Sequence, residues 1–196
     1  MTAESTAKNP RESHLDGSST RYFDVTRADR ETLEALLREL FEVRWADIVF
    51  GILLPGAVFE LRFSQAPRVS YLDGYLTIGL ESDPSHMHLC IGPHAGTRAR
   101  PTPPALAALR RCARAAFYRD EDPGGRPSSW GLRLWNGGGE QMLNVFFPSP
   151  WLSRDRLKPL REPVPEHLAL WNELRARFAD VPPEPLDTLA ERPAIH

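Results

Sequence analysis

The sequence has few of the features that identify a class of protein directly. Its 196 residues include only two cysteines, Cys90 and Cys112. Two cysteines cannot build a disulfide framework, so we expect a reducing, cytoplasmic location. No apolar run approaches the roughly 20 residues needed to cross a bilayer. The first twenty residues also lack the basic and then apolar stretches of a signal peptide. The sequence therefore predicts neither a membrane protein nor a secreted one.

A strong charge of one sign is also lacking. The 24 basic and 26 acidic residues give a net charge of -2 and a pI near 6.3. Such a balance offers no field to attract nucleic acid or an anionic membrane, so neither is expected as a partner. Lys8 and Lys158 are the only lysines, and the other basic residues are arginines spread along the chain. Together with 19 prolines, this bias is typical of a bacterial-like, GC-rich composition and does not by itself indicate a phosphate site.

Several motifs that carry specific chemistry are absent from the sequence. It has no Cys-x-x-Cys pair and no Gly-x-Ser-x-Gly elbow of a serine hydrolase. The glycine-rich segment 136–140 lacks the Lys-Ser/Thr pair of a phosphate loop and opens no predicted helix, so we interpret it as a hairpin tip. Any function has to be inferred from a local cluster of side chains.

Hydrophobic spacing predicts three helices. The first is capped by Thr26 or Asp29 and carries an apolar stripe as far as Phe41. The second is expected to begin at Thr102, with Pro103 in its first turn, and to continue through Cys112 to Phe117. The third lies near 165–178, where apolar residues again recur at helical spacing.

The strands predicted between these helices alternate in hydrophobicity and are separated by turn residues. They comprise two strands within 45–63 joined at Pro55-Gly56, one on each side of Asp73-Gly74, His86–Ile91, and a hairpin of 130–135 with 141–147. Hairpins in series predict an α+β fold with a mainly antiparallel sheet of about six or seven strands. About three helices are expected to pack on one face of this sheet, leaving the other face polar. We expect residues 21–180 to form one domain, between a disordered tail at 1–20 and a loose tail at 181–196.

A cluster of histidines on one predicted strand is the main candidate for chemistry. His86, His88 and His94 lie within nine residues, with Cys90 between them. On a strand, His86, His88 and Cys90 point to one face, while Met87 and the other apolar residues point to the core. Imidazole and thiolate are donors that zinc, iron and copper accept. The pattern predicts a divalent metal site with His86, His88, Cys90 and His94 as candidate ligands, zinc being favoured over iron or copper.

Polar residues on neighbouring strands give this cluster candidate partners. Glu60 and Glu81 are the candidates for a general base. Four more residues are candidates for binding a small anionic substrate: Arg62, Arg133, Tyr75 and Asn144. A polar sheet face of this kind also occurs without any function in antiparallel sheets that have one solvated side.

Two families have motifs that resemble parts of this cluster. Gly79 through His88 is similar to the glycine and His-x-His of the cupins, although Gly92-Pro93 stands where their glutamate is expected. His86–Ile91 resembles the His-x-His-x-His strand of the histidine-triad nucleotide hydrolases, with Cys90 in place of the third histidine, which is the nucleophile of that family. Each resemblance covers about ten residues, too few to assign a family.

The leading hypothesis from the sequence is a small cytoplasmic metalloprotein, an enzyme that acts on a small anionic substrate. One alternative is a non-catalytic binding or accessory protein whose polar sheet face docks a partner. Another is a metal-free transferase or phosphoesterase with Cys90 as nucleophile and His88 as its base. A homodimer is a separate candidate for the assembly of the chain.

Overall fold

The computed structural model describes residues 10–82, 84–153, 155 and 158–184. It confirms the α+β class. The described helices are α1 (Arg30–Arg38), α2 (Pro104–Arg110) and α3 (Ala169–Ala179), with a π-helical turn at Glu39–Val43 and a 3₁₀ turn at Pro165–Leu168. The strands, numbered β1 to β13 in chain order, are Arg11–Ser13, Ser19–Asp24, Val49–Gly51, Leu53–Leu54, Ala57–Val58, Arg68–Leu72, Tyr75–Gly79, His86–Cys90, Gly96–Thr97, Arg100–Pro101, Cys112–Glu121, Pro127–Asn136 and Gln141–Phe146.

The largest sheet has six strands, which agrees with the number predicted, in the order β1-β2-β11-β12-β13-β3. The pairs β1–β2, β2–β11 and β13–β3 are antiparallel. The expectation of one sheet for all the strands is wrong, because β6, β7 and β8 form a separate antiparallel sheet. Two further ribbons pair β4 with β5 and β9 with β10. The histidine strand is therefore not part of the large sheet.

The described chain divides into two compact units. The first unit contains the segment up to Val25, Ala116–Leu132 and the segment from Phe147 onward. The second contains Thr26–Ala115 and Arg133–Phe146. All the residues that the sequence analysis selected as site candidates lie in the second unit.

Helix α1 shows how the sequence determines an element locally. Asp29, one of the two predicted caps, has an extended backbone and its carboxylate accepts a hydrogen bond from the Thr32 amide at 2.9 Å. This bond satisfies one of the amides that the first helical turn leaves unpaired. The leucines of the predicted stripe, including Leu33 and Leu37, are fully buried. Capping and hydrophobic periodicity together explain why this helix was predictable.

A network of buried charges crosses the core of the first unit. Arg175 of α3 is almost fully buried, and its guanidinium lies over the rings of Trp171 at 4.2 Å and Phe23 at 4.6 Å. The Glu184 carboxylate pairs with Arg175 at 3.1 Å and with Arg119 at 2.7 Å. Burial lowers the pKa of the Arg175 guanidinium, and the charge of Glu184 opposes that shift. Arg119 also pairs with the Glu121 carboxylate, so Glu184 is the described counter-charge of Arg175 and shares Arg119 with Glu121.

The helix predicted from Thr102 to Phe117 is wrong beyond its first half. Helix α2 ends at Arg110, and β11 begins at Cys112. Seven of the ten residues of β11 are buried, so the strand shows no clear alternation, and the spacing of Leu109, Cys112 and Ala116 also fits a helical period. Pairing with β2 determines the extended conformation, which local preference does not.

The predicted tails coincide only partly with the structure. Strand β1 and the start of β2 lie within 1–20, which was expected to be disordered. Residues 181–184 are described, and Glu184 belongs to the buried network. The other tail residues, 1–9 and 185–196, lie outside the described residues. The longest described helix, α3, has 11 residues, and no described helix is long and apolar enough to span a membrane.

Candidate functional site

The three-stranded sheet brings the histidine strand beside Tyr75 and Thr77. The Asp73-Gly74 turn has positive φ angles of 44° and 85°, the conformation of a two-residue type I′ hairpin that the sequence predicted. The turn sets the register of β6 and β7, and β7 then pairs Tyr75 with Cys90, Thr77 with His88, and Gly79 with His86. Residues opposite each other in antiparallel strands share a face. Five of these side chains therefore lie on one face of the sheet, and the sixth residue, Gly79, has no side chain.

The two histidines of β8 lie side by side and are exposed. Their ring centroids are 4.7 Å apart. His86 Nδ1 donates to the Pro84 carbonyl at 2.7 Å, and His88 Nδ1 lies 2.8 Å from Thr77 Oγ1. Gly79 makes room for this arrangement, since a Cβ there would come within 2.6 Å of the His86 Cβ. Each ring thus uses its Nδ1 within the sheet, which leaves the Nε2 atom to face outward.

Cys90 lies on the same face but is buried, with 2% of its surface exposed. Its thiol donates to the Gly92 carbonyl at 3.7 Å and interacts with the Tyr75 phenol. Burial raises the pKa of the Cys90 thiol, while Tyr75 and the positive charges of Arg110 and Arg111 act in the opposite direction. The thiol is therefore protonated at neutral pH, but two guanidinium groups stand close enough to affect it electrostatically.

Tyr75 links the thiol to Arg110. Burial raises the pKa of the Tyr75 phenol, and the interaction with Arg110 lowers it. The Tyr75 ring also packs edge-on against His94, with the centroids 4.9 Å apart, and against His88 at 6.5 Å. A hydroxyl group, a thiol, an imidazole and a guanidinium therefore meet around one aromatic ring.

These groups surround a cavity of about 290 Å³, which we call the polar cavity. Its lining residues are Tyr75, His88, Leu89, Cys90, Arg110, Asn136 and Met142. Arg110 comes from the last turn of α2, and Asn136 from the tip of the β12–β13 hairpin. The Gly137 amide donates to the Leu109 carbonyl at 2.9 Å and joins these two elements. The side-chain amide of Asn136 is already bonded within its own turn, to Glu140 and to the backbone amides of Gly138 and Glu140.

Arg110 has the features of an anion-binding group. Its side chain is exposed at the cavity, and no carboxylate among the described residues forms an ion pair with it. Arg110 is not among the site residues predicted from the sequence, because the helix was expected to continue past it. The adjacent basic residues Arg110 and Arg111, just before an apolar segment, are the signal that could have marked the position.

The structure does not assemble the predicted metal set of His86, His88, Cys90 and His94. Among the described residues, no three His, Cys, Asp or Glu side chains converge in a way that could hold a metal ion. His94 instead faces Asp73 at 3.5 Å and Thr102 at 3.4 Å. The hydrogen bonds found within the described chain also leave His88 unconnected to Cys90, since His88 Nδ1 contacts Thr77 and the thiol contacts Gly92 and Tyr75.

The other predicted site residues lie away from the polar cavity. Glu60 and Arg62 are exposed in the segment after β5, and Glu81 forms an exposed ion pair with Arg68 at 3.1 Å. Arg133 Nε donates to the side-chain oxygen of the buried Asn144 at 3.1 Å, so these two residues do contact each other. They belong to β12 and β13 of the large sheet, however, and neither lines the cavity. Of the six residues proposed for catalysis or substrate binding, only Tyr75 lies in it.

The fold and the cavity define an α+β protein with a small concave site beside a β-hairpin. Over residues 9–180 the chain matches the model of a protein family described as a family of unknown function, DUF7676. Because the match covers most of the chain, the protein belongs to this family. No match was found among curated proteins. The family description gives no ligand and no reaction, so a function has to be argued from the geometry.

Proposed function

We propose that this protein binds a small organic anion in the polar cavity. The observation that carries the proposal is the position of Arg110, an exposed guanidinium at a cavity where no described carboxylate pairs with it. A guanidinium presents several N–H donors in a plane, an arrangement that fits a carboxylate or phosphate. The Tyr75 hydroxyl and the outward Nε2 of His88 supply two more polar contacts on the same wall.

The backbone of β8 adds further donors to this wall. The Ile91 amide, directly after β8, donates at 2.9 Å to the carbonyl of Gly74 in the β6–β7 turn, and so points toward β7. In an antiparallel pair the residues that bond to the neighbour alternate with those that face away from it. The amides of His88 and Cys90 therefore face the other edge of β8, where no described strand pairs. A bound anion at this edge would accept hydrogen bonds from main-chain as well as side-chain donors.

The size of the cavity supports a small ligand rather than a macromolecule. Its volume of about 290 Å³ is near the lower end of the roughly 300–1,000 Å³ of small-molecule sites. Binding of such an anion requires neither a metal ion nor a thiolate.

We also propose a reducing, cytoplasmic location, since Cys90 and Cys112 are both unpaired and buried.

A titration with propionate, followed by amide chemical shifts, tests the proposal. We expect saturable shifts at Tyr75, Cys90 and Arg110, and no such shifts with the neutral propionamide. Arg110→Gln should weaken propionate binding about tenfold or more, since a hydrogen bond to a charged group contributes roughly 1.5–3 kcal/mol. Arg98→Gln is the matched control, because Arg98 is an exposed arginine that lines neither this cavity nor its neighbour. Equal binding by wild type and Arg110→Gln would contradict the proposal.

The geometry of His86 and His88 favours metal binding as a second candidate function. The Nδ1–H of His86 donates to a carbonyl, an orientation that metal-bound histidines commonly have, and leaves Nε2 as the coordinating atom. Two histidines are one ligand fewer than catalytic zinc sites usually provide. We therefore propose only a two-histidine site, adjacent to the polar cavity, for zinc or another divalent ion.

Calorimetric titration with zinc tests this second function. We expect binding that is lost in both His86→Ala and His88→Ala and kept in His14→Ala, which removes an exposed histidine of the first unit. Zinc binding that survives in both single variants would place the metal elsewhere.

A further inference from the structure

A second cavity, which we call the apolar cavity, adjoins the polar one. Its volume is about 280 Å³. Most of its lining side chains are hydrophobic, and they come from β3, the residue between β3 and β4, β7, β8, β13 and the segment after β5: Phe50, Ile52, Leu61, Phe63, Ile78, Met87, Leu89, Met142 and Leu143. The aromatic rings of Phe50 and Phe63 stack at 4.8 Å, and Phe41 packs edge-on against both. The lining is therefore supported from behind by a packed aromatic cluster.

Exposed hydrophobic side chains are concentrated in the segment that supplies part of the mouth of the apolar cavity. Nine large hydrophobic side chains are exposed among the described residues, and five of them lie between Ile52 and Leu61. Ile52 and Leu61 themselves line the cavity, with 39% and 55% of their surfaces exposed. Concentrated exposed apolar surface marks a place where an apolar group binds.

The two cavities meet at the free edge of β8. His88, Leu89 and Met142 line both of them. The Leu89 side chain lies on the apolar face of the strand, and Tyr75 and Cys90 lie on the opposite, polar face. A molecule that crosses this edge would therefore have one end among hydrophobic side chains and the other beside Arg110. The outward amides of β8 lie along the path between the two ends.

We propose that the anion bound by this protein is amphipathic, a medium-chain carboxylate whose head lies at Arg110 and whose tail occupies the apolar cavity. This inference rests on the proposed function and adds the class of ligand to it. The charge of Arg110 selects the anionic head, and the apolar lining selects an unbranched or aromatic body without further charge. A fully polar anion of the same size would leave the hydrophobic cavity in contact with water.

A chain-length series tests the proposal on the intact protein. The probes are propionate, hexanoate, octanoate and decanoate, with octanol as the neutral comparison, and binding is measured by calorimetry or amide shifts. We expect the affinity to rise about threefold to fourfold per buried methylene, the equivalent of about 0.8 kcal/mol, until the cavity is full. Octanol should bind more weakly than octanoate, because it lacks the charge that Arg110 recognises.

Variants at the mouth of the apolar cavity distinguish binding of the hydrocarbon tail from binding of the carboxylate head at Arg110. Ile52→Gln combined with Leu61→Gln changes two exposed lining residues and should remove most of the dependence on chain length, with propionate binding unchanged. The matched control combines Leu54→Gln with Val58→Gln, which are similarly exposed in the same segment but line neither cavity. Arg110→Gln should weaken every carboxylate by a similar factor and leave the chain-length dependence intact.

The outcomes distinguish failure of this inference from failure of the proposed function. If propionate binding depends on Arg110 but longer chains bind no more tightly, the proposal of an amphipathic ligand is wrong and the proposal of an anion site stands. Octanol binding as tightly as octanoate, with no effect of Arg110→Gln, would overturn both the anion site and the assignment of the head group. If the affinity rises equally with chain length in the Ile52/Leu61 double variant and in its control, the tail lies outside the apolar cavity and the inference is wrong.

Discussion

At the scale of single residues, the alternation of side chains along β8 located part of the site from the sequence alone. It placed His88 and Cys90 on one face, and the Asp73-Gly74 turn made Tyr75 a neighbour through the register of the hairpin. Arg110 could not be found in this way, because its position depends on a hydrogen bond between the α2 end and a hairpin tip distant in sequence. Alternation predicts the face on which a side chain lies, but tertiary contacts decide which donors meet there.

The thiols of Cys90 and Cys112 should be alkylated more slowly than those of reactive cysteines, and the two should react at different pH values. Burial raises the pKa of Cys90, and it raises that of Cys112 to about 12. We expect slow alkylation of both at neutral pH, with Cys90 modified at a lower pH than Cys112, because only the thiolate reacts. Mass spectrometry after iodoacetamide treatment over a range of pH measures this order. Arg110→Gln should slow the labelling of Cys90, since the guanidinium favours the thiolate; fast labelling of Cys90 at neutral pH would contradict the assignment.

Cys112 should also make the protein less stable in alkali. Its pKa in the folded protein is about 12, above the ordinary value of 9.0, so the unfolded chain loses the thiol proton first. The stabilisation is therefore complete below pH 9.0 and is lost as the pH rises toward 12, by up to about 1.4 kcal/mol per pH unit. Urea unfolding of wild type and Cys112→Ala above pH 9.0 measures the difference. We expect a smaller decline of the unfolding free energy in Cys112→Ala, and an identical decline in both proteins would refute this role for the thiol.

At the scale of elements, the sequence predicted those whose signals are local. Helix α1 was identified by its cap and its leucine stripe, and the β6–β7 hairpin by Asp73-Gly74. Strand β11 was mistaken for a helix because it is buried on both faces and pairs with a strand about a hundred residues earlier. A strand whose conformation depends on pairing with a strand distant in sequence has few local signals in its own residues.

The segment after α3 should depend on Glu184. Its carboxylate pairs with the almost fully buried Arg175 and also with Arg119, so Glu184→Gln would leave Arg175 without a described counter-charge and Arg119 with Glu121 alone. We expect this change to reduce the unfolding free energy by about 3–5 kcal/mol, the usual effect of breaking a buried ion pair. Glu166→Gln is the control, since Glu166 is exposed on the 3₁₀ turn and has no described ion pair. Chemical denaturation of the two variants measures the effect, and equal midpoints would show that the network contributes little.

At the scale of the whole molecule, hairpin signals in series, with helices before, between and after them, correctly predicted an α+β protein. The distribution of the strands among several sheets could not be predicted from the sequence. Hairpin signals show which strands are neighbours along the chain, but they do not show which hairpins join the same sheet. This difference matters for the site, because it separates Arg133 and Asn144 from the histidine strand and leaves β8 with a free edge.

The pairing of β2 with β11 has a consequence for the order in which the chain folds. Thr20 and Asp120, joined by a hydrogen bond of 2.6 Å, are 100 residues apart, whereas β6, β7 and β8 follow one another through short connections. Closing the larger loop costs more chain entropy, and non-local pairing slows folding. We expect the amides of Tyr75–Gly79 to gain protection from hydrogen exchange earlier during refolding than those of Ser19–Asp24. Pulse labelling can follow both segments, and earlier protection of β2 would reverse this order. In the expected order, Tyr75 and the histidine strand are in place before β2 pairs with β11, whereas Arg110 joins them only when the end of α2 meets the tip of the β12–β13 hairpin.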